Sequence, residues 1–566
     1  MTDTPFQIAE WRVDPANNQI RLGDKIRRIE PKAMDVLVFL AKNQGQVVSR
    51  EEVEQAVWAG RFVTPDSMSA AINKLRKALD DDSRHPRYIE TVSKRGYRLI
   101  APVAESAAGG DSIVNPESLP PAGDAKRVLP RTPVAALFVL GALVLVVAAI
   151  AFWFASPSDG PRLSSRGPLP SVVVLPFDNL SEDSAQEYFS DGITDDLITD
   201  LSKIESLRVI ARQSSYHYKH RNDFTLEDVG RELSVKYVVE GSVQKSGSRI
   251  RINVQLTNVD KGESLWGQRF DTSPSALFAT QDEITRQVIN AMTVTLPSEE
   301  QPFAPADRAS SFDAYDTFLQ GQRYSAQRSR EGYEQGMDAY RQSIATDPKF
   351  ARAYGAMAVL LTHGYRFQWT NLSLGEARER SLELARKAVR LNKNSSQIYW
   401  ALGYVHIHRK EYEAAEQAAR QSVTISPNYA DGYGLLAYIS NWRGKAVQAE
   451  KYIKKAMDLN PYHTFDYPWN LGLAYYLQGR YEEAIEALSN ALDRNPSALY
   501  PRLFLTASYV RAGRIDDAQW QVDNIKVSRS STTIKHLKNV MPFEHRATLD
   551  AVLEDLRKAG LAETGG

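Results

Sequence analysis

Over residues 6–29 apolar and polar positions alternate in short runs, broken at Asp14-Pro15-Ala16-Asn17-Asn18 and Leu22-Gly23-Asp24, which predicts three strands. The period then becomes helical. Pro31 stands where a first helical residue belongs, and Met34, Leu37, Val38, Leu40 and Ala41 form an apolar stripe that stops before Gly45. Val47-Val48 predicts a short strand, and Ser49-Arg50-Glu51-Glu52 a capping box that opens a second helix. Thr64-Pro65 starts a third, in which Met68, Ile72, Leu75 and Leu79 recur on one face and Ser69, Asn73, Lys74, Arg76 and Lys77 fall on the other. After the acidic run Asp80-Asp81-Asp82, Ile89–Val92 and Tyr97–Leu99 read as a hairpin with the tip Ser93-Lys94-Arg95-Gly96.

The pattern changes abruptly at Val134. Through Phe154 the chain runs 21 residues without a charge, enough at about 1.5 Å per residue to cross a hydrocarbon core of about 30 Å. Residues 104–125 before it are rich in Ala, Gly, Ser and Pro, carry no Lys or Arg, and read as a flexible linker that extends to residue 133. Lys126, Arg127 and Arg131 precede the span, and Asp159, Arg162 and Arg166 follow it, which favours a cytoplasmic N-terminal side.

Beyond a short linker, 155–170, strand and helix periods alternate again. Val172–Phe177 reads as a buried strand, Ser190-Asp191-Gly192 as the start of a helix, and Leu207–Ala211 as a second strand. A helix at Leu226–Leu233 leads to three strands, the second alternating Ile250, Ile252, Val254 and Leu256 with polar residues. A helix from Leu277 to Leu296 closes this β-α-β-α-β-β-β-α unit, residues 171–297. Asp191, Asp195, Asp196 and Asp200 are expected to favour the dipole of a first helical turn rather than to bind metal or carry out acid/base chemistry.

From residue 312, after a linker at 298–311, the chain repeats itself. Pro427, Pro461 and Pro496 are 34 and 35 residues apart, with Lys393 34 residues before the first. Leu402-Gly403, Leu436-Ala437 and Leu471-Gly472 recur at one position, and Ala415, Ala449 and Ala484 at another. This is the tetratricopeptide pattern of antiparallel helix pairs. About five pairs are expected over 312–530, with a helical cap and tail at 531–566. Stacked repeats offer a concave surface for a protein or peptide partner, which aromatics such as Tyr399, Trp442, Tyr475 and Tyr476 could line.

Composition narrows the chemistry. The 566 residues hold 69 Lys and Arg against 69 Asp and Glu, so any nucleic-acid binding must come from a local patch. Residues 1–104 hold 17 Lys and Arg against 14 Asp and Glu, and the cations gather on the third helix and the hairpin tip. There is no cysteine, which excludes disulfides, thiolate metal sites and cysteine nucleophiles. No GxxxxGK[ST], HExxH or supported GxSxG motif is present, so neither a catalytic residue, a metal site nor a cofactor is expected and the chain is not read as an enzyme. His406 and His408 lie two apart on a helix and point away from each other. A helix exposing polar and basic groups suits a major groove, and a basic hairpin tip suits adjacent phosphates.

The strand, three-helix and hairpin order, with PKAMDVLVFLAKNQGQVVSREEVEQAVW, SAAINKLRKALDD and IETVSKRGYRL, resembles the winged helix-turn-helix domain of OmpR-type response regulators. The resemblance covers roughly residues 6–102, and the domain is assigned to residues 1–103. It implies a recognition helix from Pro65 to Leu79, DNA contacts by Ser69, Asn73, Lys74, Arg76, Lys77, Thr91, Lys94 and Arg95, and an RNA polymerase-facing loop holding Arg61 and Phe62. The chain departs from that family at Asn73 and Ser93, where arginine is common. VVVLPFDNL, DGITDDLITDLSKI, YVVEGSVQKSG and ESLWGQRFD resemble the N-terminal domain of TolB-like periplasmic proteins. The whole order is similar to the ToxR and CadC family of membrane-bound regulators. That similarity implies a single-pass protein of a bacterial inner membrane, N-terminus cytoplasmic and C-terminal part periplasmic. It would couple a signal to promoter DNA without phosphorelay, through a change in homodimerisation. The alternative is a membrane-anchored repeat scaffold. The expected architecture is thus multidomain, α+β and α: winged helix, single transmembrane helix, mixed α/β domain and α-solenoid.

Overall fold

The computed structural model describes residues 4–23, 25–58, 66–82, 86–92, 95–105, 169–219, 221, 223–292, 308–528 and 532–564. The apolar run 134–154, and the flanking linker residues from 106 to 168, lie outside the described residues. Among the described residues no helix is long and apolar enough to cross a membrane.

The N-terminal domain follows the hydrophobic pattern. Strands β1 (Phe6–Ile8), β2 (Trp11–Asp14), β3 (Gln19–Leu22) and β4 (Lys25–Arg28) form an antiparallel sheet. There are four strands where three were expected, because a turn at Ala9, with φ of 48°, splits the first without a Gly or Pro to announce it. Helices α1 (Pro31–Lys42), α2 (Arg50–Trp58) and α3 (Asp66–Leu79) follow, then the hairpin β5 (Ile89–Val92) and β6 (Gly96–Leu99). Pro31 occupies the first turn of α1, and the Ser49 hydroxyl accepts from the Glu52 amide at 3.1 Å while the Glu52 carboxylate accepts from the Ser49 amide at 2.7 Å. A last strand, β7 (Val103–Glu105), pairs with β1, so the domain extends two residues into the stretch assigned to the linker. The apolar faces of α1, α2 and α3 close on Trp11, Val13 and Ile20 in a core of their own.

The α/β module is a mixed sheet in the order β10-β8-β11-β12-β13, built from β8 (Ser171–Val174), β10 (Arg208–Val209), β11 (Tyr237–Ser246), β12 (Arg249–Asn258) and β13 (Glu263–Thr272). The short β9 (Asp178–Asn179) pairs with β11. Helices α4 (Glu187–Leu201) and α7 (Leu277–Ala291) bury their apolar residues with one face, and α5 (Arg212–Ser215) and α6 (Leu226–Leu233) lie between β10 and β11 in sequence. Val229 and Leu233 of α6 join Val173 and Val238 in a second cluster.

Six antiparallel helix pairs follow: 312–326 with 330–346, 351–366 with 374–391, 396–408 with 412–425, 430–442 with 446–459, 466–477 with 481–494, and 499–511 with 515–528. Pro348, Lys393, Pro427, Pro461 and Pro496 mark the ends of the first five pairs; the sixth ends at Ser528 without such a marker, which is why the spacing yields five. Pro348 and Lys393 are 45 residues apart where the later markers are 34 and 35 apart, and the extra residues of this second unit lengthen both its helices and the connection between them; two further helices, 534–540 and 546–558, close the C-terminal end.

The module and the repeats share one core. Phe189, Ile193 and Leu197 of α4 cluster with Tyr315, Phe318 and Leu319 of the first repeat helix. Gly192 allows the approach, since a Cβ there would lie 2.4 Å from Leu319 Cδ1. Inter-repeat loops grip the β10 edge: the buried Asn428 side chain donates to the carbonyls of Ile204 and Leu207 at 2.8 and 2.7 Å, and the Ala211 amide donates to the Leu459 carbonyl at 2.8 Å. Replacing Asn428 by Ala leaves both carbonyls buried without that donor, at a cost of about 2–4 kcal/mol. The expected outcome is a lower melting temperature of the full chain in detergent and faster amide exchange around β10; an unchanged exchange pattern would show that this clamp carries little.

Candidate nucleic-acid interface

Helix α3 is amphipathic in the sense predicted: Met68, Ile72, Leu75 and Leu79 are buried, and Lys77 is exposed. Arg76 departs from the expected role of a solvent-facing contact residue. It is 8% exposed, and its guanidinium donates to the Ile89 carbonyl at 2.9 Å and to the Thr91 hydroxyl at 2.8 Å. Lying next to Leu75 in the helix, it turns toward the hairpin and ties α3 to β5. Lys74 is half-buried and forms an ion pair with Glu30 at 2.5 Å. Burial pulls its ammonium below the ordinary lysine value against the pull of Glu30. Thr91 and Arg95 are exposed on the hairpin. The side chains of Ser69 and Asn73, and residues Arg61, Phe62 and Lys94, lie outside the described residues.

Two positioning residues went unnoticed in the sequence. Asp81, part of an unremarkable acidic run, accepts from the amides of Arg87, Tyr88 and Ile89 at 2.6, 3.2 and 2.9 Å and so fixes where the hairpin begins. Glu30 precedes α1 but does not cap it; its carboxylate turns to Lys74. The hairpin is held against the helices at Gly96, whose φ is +133° and where a Cβ would fall 1.9 Å from the Val48 carbonyl oxygen. The exposed Lys77, Thr91 and Arg95 are therefore carried on a helix and a hairpin locked together by Arg76.

A second concave feature separates α4 from the repeats, a cavity of about 530 Å³ whose lining includes Asp191, Asp195, Arg212, Lys219, Arg352 and Asp431. Helix α4 begins at Glu187, so the four aspartates are not in its first turn as expected. They are ion-paired instead. Asp195 accepts from Arg212 at 2.6 Å, Asp191 from Lys219 at 2.5 Å, and Asp200 from Arg308 at 2.9 Å. Asp196, buried at the module–repeat boundary, accepts from Arg352 at 2.7 Å and from the Tyr315 hydroxyl at 2.6 Å. Burial pushes Asp195 up to about 6, outweighing the Arg212 guanidinium. Among the described residues no group of three His, Asp or Glu side chains is arranged to hold a metal ion.

Comparison with known proteins falls on the same parts. Residues 24–99 match the family model "Transcriptional regulatory protein, C terminal". Residues 373–430 and 470–498 match tetratricopeptide-repeat models. The chain thus carries the winged helix of transcriptional regulators and tetratricopeptide repeats. It is 26% identical over 410 residues to the "Transcriptional activator CadC" of Escherichia coli (strain K12), covering 64% of this chain and 76% of that protein. It is 34% identical over 275 residues to "Putative adenylate cyclase 3" of Rhizobium meliloti (strain 1021), covering 47% of this chain and 46% of that protein. The chain therefore spans about half the length of this relative. Among solved structures, the DNA-binding domain of E. coli CadC is 39% identical and is matched over all of its length and 19% of this chain, with a TM-score of 0.18.

Two measurements test this geometry. Replacing Arg76 by Ala should cost about 1–3 kcal/mol through the carbonyl left unpaired and speed amide exchange in β5 and β6; unaltered exchange there would remove the tie. For pH, burial holds His463 down to about 4, with Arg494 beside it, and His363 down to about 3. An unfolded histidine titrates near 6.5, so between the two values the unfolded chain binds the extra proton. The stability these residues confer is complete above about pH 6.5 and is lost as pH falls through the folded values. Thermal unfolding should move down between pH 7 and pH 5, and His463→Gln should flatten that slope; an identical slope would exclude His463.

Proposed function

We propose that this chain is a membrane-integrated, one-component transcriptional regulator that binds promoter DNA through its winged helix without phosphorelay. One observation carries this reading. The similarity to the E. coli activator extends over 410 residues, far beyond the 105 residues of the winged-helix part, so it concerns an architecture and not only a DNA-binding domain. The wing and α3 provide the contact surface: Lys77, Thr91 and Arg95 meet phosphates or base edges directly, while Arg76 and Lys74 set the geometry; DNA contact by Ser69, Asn73 and Lys94 is part of the same proposal. Contact with RNA polymerase through Arg61 and Phe62, which the resemblance implies, is part of the same proposal.

The TolB-like α/β module and the repeats form the receiving half, with the cavity between them as the place where a ligand or a peptide touches both. The match to the cyclase-named protein also reaches past the winged-helix part. It spans 275 residues, more than half of which lie beyond the winged-helix part. The scaffold reading has no comparable support. Genome-wide crosslinking of the intact protein to DNA separates the two, since a scaffold yields no discrete promoter sites.

The membrane crossing at Val134–Phe154 has a physical competitor. In the described structure Glu30 of the winged helix lies 3.0 Å from Arg502 of the repeats, and Arg28 lies 2.7 Å from Asp517, contacts that a bilayer between them would part. No apolar cluster joins the winged helix to the repeats among the described residues. Exposed ion pairs contribute about 0–1 kcal/mol each, and a buried pair is weak support for stability. The 13 Leu, Ile, Phe and Val residues of the span favour insertion by on the order of 4–8 kcal/mol. Insertion is the larger effect, and we place the N-terminus in the cytoplasm and the repeats in the periplasm of a bacterial inner membrane.

A periplasm-active reporter fused after Ser158 should be active; activity only from a cytoplasmic reporter would overturn the topology. Lys77→Ala with Arg95→Ala should weaken DNA binding at all sequences and reduce the slope of log K against log salt by about 1–2. Binding with an unchanged slope would move the contact surface elsewhere.

A further inference from the structure

Among the described residues strand β13 is the last strand of the α/β sheet and pairs on one side only, with β12. It is ten residues long, where strands usually hold about five or six. Long free edges are normally blunted by proline, bulges or charged side chains, lysine above all, and the charges on this edge, Glu263, Arg269 and Asp271, are of mixed sign. This strand has neither proline nor lysine, and its bulge falls where Leu256 and Thr257 face Trp266 and Ser264, which leaves Trp266–Thr272 regular. Along that run Trp266 and Phe270 pack toward the core, and Gly267, Arg269 and Asp271 are exposed on the opposite face. Asp271 accepts from Arg251 on β12 at 2.7 Å, whereas Arg269 has no ion-pair partner among the described residues.

We propose that β13 pairs with β13 of a second copy of this chain, antiparallel about a twofold axis at Phe270, so that two sheets become one. The side-chain period of two means that residues brought opposite each other must share a face if both cores are to stay on the same side. Every axis centred on a residue satisfies that condition, and the charges then separate the registers of the regular run. An axis at Arg269 sets two guanidiniums opposite each other, an axis at Asp271 sets two carboxylates opposite each other, and an axis at Gly267 opposes Glu263 and Asp271. An axis at Gln268 leaves Arg269 facing glycine. With the axis at Phe270, Arg269 faces the partner's Asp271 twice by symmetry, and Gln268 faces the partner's Thr272. The edge is self-complementary in charge in this register. The inference deepens the proposed function by naming the surface that brings two winged helices onto repeated half-sites, although its own chemistry involves no DNA contact.

The experiment uses full-length chains with two different tags, co-expressed and purified together in detergent. Wild-type chains should co-purify, and Arg269→Glu alone or Asp271→Lys alone, carried on both chains, should reduce co-purification at least tenfold. One chain carrying Arg269→Glu and the other Asp271→Lys should regain it, because in that mixture both cross-strand pairs are again opposite in sign. Recovery in the mixture also shows that neither variant has merely failed to fold. Undiminished co-purification of either single variant, or no recovery in the mixture, overturns the proposal. As an independent check in a chain without cysteine, Phe270→Cys should give an oxidised dimer and Gln268→Cys alone should not; dimer at 268 and none at 270 refutes the register. Loss of promoter binding with co-purification intact would count against the DNA-binding reading alone.

Discussion

A carboxylate in the middle of a buried helix has to be neutralised where it lies, and Asp196 finds its partners in the repeat array. Arg352 and the Tyr315 hydroxyl both come from helices more than a hundred residues further along the chain. Their pull more than offsets the burial that would otherwise raise the carboxyl, and holds Asp196 below its ordinary value. Without the repeats, α4 would carry an uncompensated charge at the edge of its apolar face, a situation that costs several kcal/mol. The α/β module and the repeats are for this reason one physical object: the first repeat helix completes the sheet's core, and Gly192 removes the side chain that would keep the two apart.

The winged helix is built on the opposite plan. Its apolar residues close on themselves, and its polar side chains serve as internal ties between the helices and the hairpin. Arg76 is the clearest example. A recognition helix that must present a fixed pattern to a ligand gains from having the neighbouring wing pinned to it, because geometry that is set before binding need not be ordered during binding. Lys74 and Glu30 act in the same way at the other side of the helix.

Period and punctuation in the sequence were enough for much of this architecture. The stripes of α1 and α3, the capping box at Ser49, the alternation in β12 and the repeat spacing all depend on local rules, and each is found where those rules put it. What escaped them is long-range. Whether Arg76 points to solvent or to Ile89 depends on where the hairpin returns, and helical spacing places it on the polar side in either case. The role of the four aspartates could not be read from their spacing, because their partners are Arg212, Lys219, Arg308 and Arg352. The sixth helix pair lies beyond the last residue of the 34- and 35-residue spacing, Pro496, and ends at Ser528 without a marker of its own.

The clamp between the module and the repeats also imposes an order in time. Ser214 at the end of α5 accepts from the Tyr462 amide, 248 residues further along the chain. At synthesis rates of about 5–20 residues per second, that partner emerges roughly 12–50 s later. During this interval the β10 edge is made but not yet clamped, far longer than the microseconds to milliseconds in which local elements form. An edge that waits unpaired is open to mispairing, so the clamp bears on how the chain folds as well as on how stable it is once folded.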